Sequence, residues 1–388
     1  MATPTPLVWD LIDAADAQAF LAPIEPPSVA PEPLPLPARA VRWNPPCPID
    51  QSRLVGLTVV PGGRGGALVG SSQALRLWAQ HADSPLGRSA ARALESYDRA
   101  TLGWRWADGS LHSSAARPCL LGILNVTPDS FSDGGRFCDM GSAIEHVNRM
   151  LTAGADVIDV GGESSRPGAT EIDELTEAQR VIPVLEALRR EFPAARLSID
   201  TRRPEIARAA LDRGVAMIND ITALADPAMR QLAAESGVPV ILMHRRGSPA
   251  TMQNDTEYRD LVGEVAHYLN RSAAAAQAAG CAADRILLDP GFGFGKSPRG
   301  NQLMLRQLAS FRSLGYPLAV GLSRKRFIGD ATQVSNPAHR LAGSVAAAAW
   351  ATLQGAALLR VHDVEATLQA VRWAATMRTE ALEPQCGA

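Results

Sequence analysis

The sequence predicts an α/β chain: a (β/α)8 TIM barrel preceded by a proline-rich segment and a small α/β N-terminal extension. Three observations carry this expectation. Between Cys119 and Val361, eight apolar, β-rich runs each stop at a polar or glycine-rich cluster: Asn125, Gly161-Gly162-Glu163, Asp200, Asn219-Asp220, His244, Asp289, Ser323-Arg324-Lys325 and Arg360-His362. Polar groups recurring at one end of successive buried strands mark an active site at the strand C-termini of a barrel. The stretches between the runs carry apolar residues at three- and four-residue intervals, and strand–helix alternation on this scale implies a parallel sheet. An open doubly wound sheet would need a glycine fingerprint after its first strand, and none is there.

Taken in order, residues 1–50 read as an N-terminal helix and proline-rich linker. Trp9 to Leu21 has the spacing of a short amphipathic helix (Leu11, Ile12, Ala15, Phe20). From Pro23 to Pro48 ten prolines deny the backbone helical continuity and ladder donors, which predicts an extended, polyproline-like segment. Residues 51–103 read as a small α/β extension of unassigned role: a strand over Leu54 to Val60, a glycine turn over Gly62 to Gly66, and helices over Ser71 to Ala79 and Leu86 to Leu102. The glycine turn resembles a phosphate loop, but Leu68 stands where the dinucleotide pattern needs its last glycine, which favours a plain turn. Residues 104–388 read as the barrel. Trp104 to Ser113 has the alternation and the Asp108-Gly109 signal of a hairpin, placed to cap the barrel's closed end. Strands follow near Leu120 to Asn125, Val157 to Val160, Leu197 to Asp200, Ala216 to Asn219, Val238 to Met243, Ile286 to Asp289, Leu318 to Leu322 and Leu358 to Val361. Helices are expected over Ala178 to Arg190, Pro204 to Arg213 and Leu261 to Ala279.

Composition narrows the function classes. A net charge of -2 over 388 residues argues against a nucleic-acid or membrane footprint. The five cysteines are scattered and form no CxxC pair, so neither a disulfide framework nor a zinc site is expected and a reduced, cytoplasmic compartment is. No secretory leader pattern or bilayer-length apolar run is expected either.

The polar clusters suit a flat, nitrogen-rich heterocycle bearing phosphate. Asp200, Asn219 and Asp289 can accept from and donate to ring N–H and amino groups. Asn125 can offer an amide oxygen to a hard cation such as magnesium. Its loop continues with Thr127, Asp129, Ser130, Ser132 and Asp133 before the Gly134-Gly135 hinge. After the second strand, Ser165 and Arg166 can donate to an anion, with Pro167 in the turn. The run Asp289 to Ser297 resembles a nucleotide phosphate loop but has too few residues between Gly291 and Gly295-Lys296-Ser297, which argues against ATP. Phe292 and Phe294 would instead crowd a flat ligand. Lys325, Arg360 and His362 share one rim, where barrel phosphate sites form.

Long segments carry a resemblance: Gly122 to Gly135, Gly161 to Ala169, Ser198-Ile-Asp-Thr201, Ile218-Asn-Asp220, Asp289 to Lys296, Ser323-Arg-Lys325 and Arg360-Val-His-Asp363. In order and spacing they are similar to dihydropteroate synthase, of the pterin-binding barrel superfamily. The resemblance implies condensation of 6-hydroxymethyl-7,8-dihydropterin diphosphate with 4-aminobenzoate, by SN1-like loss of diphosphate. It implies that Asp200, Asn219, Asp289 and Lys325 hold the pterin, and that Arg360, His362 and Mg2+ at Asn125 take the diphosphate. Ser165, Arg166 and Pro167 would line the aminobenzoate pocket. Met243, Phe294, Ser323, Asp129 and Asp133 are further substrate-contact candidates, and a homodimer through late barrel helices is expected. Ser165 replaces the family's common threonine, Arg245-Arg246 replaces a common Met-Gln, and the first hundred or so residues match nothing in the family. A pterin-dependent methyltransferase would not need Arg360, His362 and the Asn125 loop; a non-catalytic pterin-binding protein would not need the whole set.

Overall fold

The computed structural model describes residues 6–11, 38–43, 54, 57–62, 65–81, 84–99, 102–127, 140–164, 166, 168–248 and 250–379. They form two compact units: residues 1–101, 257–270 and 302–316 in one, and 102–256, 271–301 and 317–388 in the other.

The first unit is built on a four-stranded antiparallel sheet. Its strands are β1 (Leu7–Leu11), β2 (Ala38–Trp43), β3 (Leu57–Gly62) and β4 (Gly65–Gly70), in the order β1-β2-β4-β3. Two helices, α1 (Ser72–His81) and α2 (Pro85–Arg99), accompany it. Val8, Val41, Trp43, Leu68, Leu75, Trp78, Leu94, Tyr97 and Ala309 form its buried core. Arg42 and Asp260 make a buried ion pair at 3.0 Å, and Val8 N–H donates to Ser313 Oγ at 3.0 Å.

Several expectations for this unit are corrected. Trp9 to Leu11 is strand, because Leu7–Leu11 pairs antiparallel with Ala38–Trp43, a partner invisible to local periodicity; residues 12–21 lie outside the described set. Ala38–Trp43 is a proline-free window within the proline-rich segment, so its N–H groups can enter a ladder. Residues 23–37 and 44–48 lie outside the description. The glycine turn joins two strands rather than a strand and a helix, with Gly62 opposite Gly65. No helix N-terminus follows it directly, so the phosphate-loop geometry is not formed.

The second unit is the barrel. Its strands are β7 (Cys119–Asn125), β8 (Val157–Gly161), β9 (Arg196–Asp200), β10 (Met217–Asp220), β11 (Val240–Met243), β12 (Ile286–Asp289), β13 (Leu318–Gly321) and β14 (Ala356–Val361); a hairpin of β5 (Gly103–Arg105) and β6 (Leu111–Ser113) precedes them. All eight barrel strands pair parallel and close into a ring. In the chain, between and after them, run α3 (Met140–Thr152), α4 (Glu174–Glu191), α5 (Pro204–Leu211), α6 (Pro227–Ser236), α7 (Leu261–Ala278), α8 (Pro298–Arg306), α9 (Arg326–Thr332), α10 (Leu341–Leu353) and α11 (Val364–Thr379), with the first part of α7 and the last part of α8 counted in the first unit. Local signals set their ends. Asp173 caps α4 by accepting from Thr176 N–H at 2.6 Å, and α6 runs from Asp226-Pro227 to a left-handed Gly237.

The hairpin closes one end as expected. Trp104 and Trp106 are buried, 5.8 Å apart edge to face, in one cluster with Cys119, Leu121, Val157, Met217, Ile241, Leu287 and Ala319. Those residues start the strands, so aromatic plugs fill the N-terminal mouth and leave the C-terminal mouth for polar groups. Among the described residues no helix is long and apolar enough to cross a membrane.

Candidate active site

Strand alternation aims the polar residues inward. In β8, Val157 faces the interior cluster, so Asp159 and Gly161 share its face; Gly161 lies level with Asn125 on one side and Asp200 on the other, and Asp200 level with Asn219. The sequence therefore brings Asn125, Asp159, Asp200 and Asn219 to neighbouring inward positions near the strand ends. Asp289, at the end of β12, lies level with Met243.

Arg360 is the hub. Its Nε donates to Asp159 Oδ2 at 2.6 Å and its Nη2 to Asp200 Oδ2 at 2.7 Å, while Asn219 Nδ2 donates to Asp159 Oδ2 at 3.0 Å. Burial works against the guanidinium's charge, but Asp159 and Asp200 more than offset it and its pKa is raised. Burial pushes the Asp200 carboxyl up to about 7 despite Arg360, with Asp159 adding to the rise. Asp159 was missed in the sequence because it sits mid-strand rather than at a strand end. Counting back by two from Gly161 would have found a carboxylate facing the barrel axis. It is fully buried, and its Oδ1 has no hydrogen-bond partner.

Asp289 and Lys325 make the second group. Asp289 Oδ1 accepts Gly291 N–H at 2.7 Å; burial raises its pKa and Lys325 opposes the rise. Lys325 Nζ donates to Phe292 O and lies 4.4 Å from the Phe294 ring centroid. Burial lowers its pKa to about 8, against the pull of Asp289. Met243 and Phe294 pack with Ile221 and Met252 in an apolar cluster, and apolar and aromatic side chains are what lines most small-molecule sites.

His362 and Ser323 are joined at 3.0 Å through Nδ1, and Ser323 Oγ also accepts His362 N–H at 3.2 Å. Burial, then Arg360 and Arg324, lower the His362 pKa to about 3, so the ring is neutral and serves as a hydrogen-bonding group rather than a cation. Arg324 is committed to Asp363 through two bonds of 3.0 and 2.6 Å. Arg166 is exposed, and its charge contributes to lowering His362. Ser165, Pro167, Asp129 and Asp133 lie outside the described residues.

Two other motifs turn out to be structural. Asp220 is tied up by Thr222 N–H at 2.7 Å and Leu224 N–H at 2.9 Å. Glu163 accepts from Arg202, from Arg203 and from Ile172 N–H, and Arg203 also reaches buried Glu177, which clamps the base of the loop after β8. For a metal, Asn125 is half-buried at the rim, and among the described residues no three His, Cys, Asp or Glu side chains group as a cation cage. A single amide oxygen suits Mg2+ when substrate phosphates and water complete its shell, so the residues fit that mode of binding.

Residues 121–362 match the family described as pterin binding enzyme. Over 257 residues the chain is 48% identical to dihydropteroate synthase of Escherichia coli strain K12, covering 66% of this chain and 90% of that protein. The chain belongs to the dihydropteroate synthase family. Among solved structures, dihydropteroate synthase of Xanthomonas albilineans with 4-aminobenzoic acid superposes with a TM-score of 0.67 at 44% identity, covering 72% of this chain and 99% of that one. The same enzyme in complex with 7,8-dihydropteroate gives a TM-score of 0.63 at 42% identity, covering 71% and 98%. The family match covers the barrel and not residues 1–101 of the first unit.

Proposed function

We propose that the chain acts as a dihydropteroate synthase, joining 6-hydroxymethyl-7,8-dihydropterin diphosphate to 4-aminobenzoate and releasing diphosphate. The carrying observation is the Arg360 guanidinium suspended between Asp159 and Asp200 at the C-terminal mouth, with Asn219, Asp289, Lys325 and His362 belonging to the same set of strand ends. Asp159, Asp200, Asn219 and Asp289 offer the acceptors that amino and ring N–H groups of a pterin require, and Lys325 offers a donor to a ring oxygen or nitrogen.

In the reaction the bond from the pterin methylene carbon to the diphosphate oxygen breaks, and the amine nitrogen of 4-aminobenzoate bonds to that carbon and loses a proton. Arg360 and neutral His362 meet charge growing on the leaving oxygens, which is stabilisation aimed at the transition state. The buried carboxylates Asp200 and Asp289 face the positive charge left on the pterin. The arylamine is uncharged at neutral pH, so no strong base is required. Magnesium, with Asn125 supplying one ligand, would neutralise diphosphate charge when bound. Ser165, Arg166 and Pro167 would supply the aminobenzoate side in this reading, and Ser323, Asp129 and Asp133 would be further substrate contacts.

We assign a homodimer to the adjacent helices α10 and α11. They pack on each other and present Leu341, Trp350, Leu353, Trp373 and Met377 to solvent, with Trp373 69% exposed, and large apolar side chains exposed on one helix pair support an association surface. A cytoplasmic location accords with the dispersed cysteines. The test is direct: pure protein, pterin diphosphate, 4-aminobenzoate and Mg2+ are combined, and diphosphate and dihydropteroate are measured. Formation of both in equal amounts is expected, and no product at any Mg2+ or Mn2+ concentration rejects the assignment. Sedimentation of Trp373→Glu checks the dimer, with a monomer expected and an unchanged mass refuting it.

A further inference from the structure

The lysine of the phosphate-loop-like run is not exposed to any ligand. Lys296 is 2% exposed, and its Nζ lies 2.8 Å from Gly291 O, 3.0 Å from Phe294 O and 2.9 Å from His244 Nδ1. Burial drives its pKa well below the ordinary lysine value, against the pull of Asp289, and the nitrogen is held by donating to the two carbonyls and sharing a hydrogen bond with the imidazole. The two carbonyls converge because Gly291, Gly293 and Gly295 adopt left-handed φ angles of 70°, 82° and 68°. A Cβ at Gly291 would lie 1.9 Å from His244 O, so this winding requires glycine. A second anchor comes from Asn301, which accepts Gly293 N–H at 2.7 Å and donates to Lys296 O at 3.1 Å.

The other side of the same loop carries the site. Gly291 N–H holds Asp289, Phe292 O accepts from Lys325, and the Phe294 ring lies beneath the Lys325 ammonium. Gly293 also lies against Lys325: a Cβ there would meet its Cδ at 3.2 Å. A residue that only filled space behind the loop could be apolar. An apolar residue at 296 would strip the Phe294 carbonyl of the Lys296 donor and leave Gly291 O only its 3.2 Å bond from Phe294 N–H, and the loop would have to rewind to hydrate the exposed acceptors.

We propose that Lys296 is a positioning residue for the pterin end of the site: its amino group is the internal hydrogen-bond donor around which residues 291–295 are wound, and through them it sets where Asp289 and Lys325 present their polar atoms. The proposal rests on the pterin assignment above. It separates Lys296 from a general stabilising role, because the loop it holds bonds directly to the Asp289–Lys325 group.

The test uses Lys296→Met in the full chain, with both KM values, kcat and calorimetric titration of 6-hydroxymethylpterin. KM for the pterin diphosphate is expected to rise about tenfold or more, pterin affinity to fall in parallel, and KM for 4-aminobenzoate to stay within about twofold. Equal loss for both substrates, or wild-type pterin affinity, overturns the positioning role. If Lys296→Met does not fold, Lys296→Gln keeps two N–H groups for the carbonyls and is expected to show the same one-sided loss at smaller amplitude. A wild-type chain that neither binds the pterin nor makes dihydropteroate takes down both the assignment and the proposal. A working wild type beside a variant of equal pterin affinity takes down the proposal alone.

Discussion

Replacing Asp200 by asparagine is expected to stabilise the ligand-free protein at pH 8 while disabling it. The carboxyl titrates near 7 in the fold because it is buried, against an ordinary value of 3.8. A folded state that keeps a proton which the unfolded chain releases binds more protons between those two values. Stability from this group is therefore fully present below about pH 4 and lost as pH rises toward 7. A rise of about three pH units, at about 1.4 kcal/mol each, comes to roughly 4 kcal/mol. The asparagine amide cannot titrate, and at pH 4 it resembles the protonated acid in shape and charge. The stability of Asp200→Asn minus that of the wild type should then climb by up to about 4 kcal/mol from pH 4 to pH 8. Using the difference cancels every contribution common to both proteins. Urea unfolding of both proteins across that range, with pterin titration at pH 7.5, measures it. A difference flat to within about 1 kcal/mol would refute a buried, proton-holding Asp200.

Asp289→Asn turns one acceptor atom into a donor facing ring N–H groups and removes a charge, so pterin binding should weaken by about 3 kcal/mol; calorimetry giving wild-type affinity would show the pterin to bind elsewhere. His362 is neutral down to about pH 3, so His362→Gln should slow turnover by about tenfold to a hundredfold without moving the acid limb of the pH–rate profile; disappearance of that limb in the variant would mean that His362 itself titrates there. Arg203→Met strands buried Glu177 and loosens Glu163, so stability should drop by about 3 kcal/mol and KM for 4-aminobenzoate should rise; a urea midpoint and KM both at wild-type values would contradict the clamp.

The barrel was legible because its signals are local. Each strand's alternation and each stop at a polar residue can be read within a few positions, and the register then places Asn125, Asp200 and Asn219 side by side. Asp159 is harder to read because it lies mid-strand rather than at a strand end, although the same alternation marks it. His362 was placed correctly but not its charge state, which comes from Arg360, Arg324 and burial rather than from its neighbours in sequence. The extension was misread at Trp9 to Leu11, where short-range spacing suited a helix and pairing with Ala38–Trp43 prevailed.

By itself the sequence determined the barrel, its open and plugged ends, and the family, since apolar period, turn residues and long motifs are properties of contiguous chain. Tertiary structure alone decided which side chains are spent on one another: Arg42 on Asp260, Arg203 on Glu163 and Glu177, Arg324 on Asp363, Lys296 on its own loop. The physical reason is that a charge acquires its role from the partners and the burial that folding brings to it, and those come from residues far along the chain.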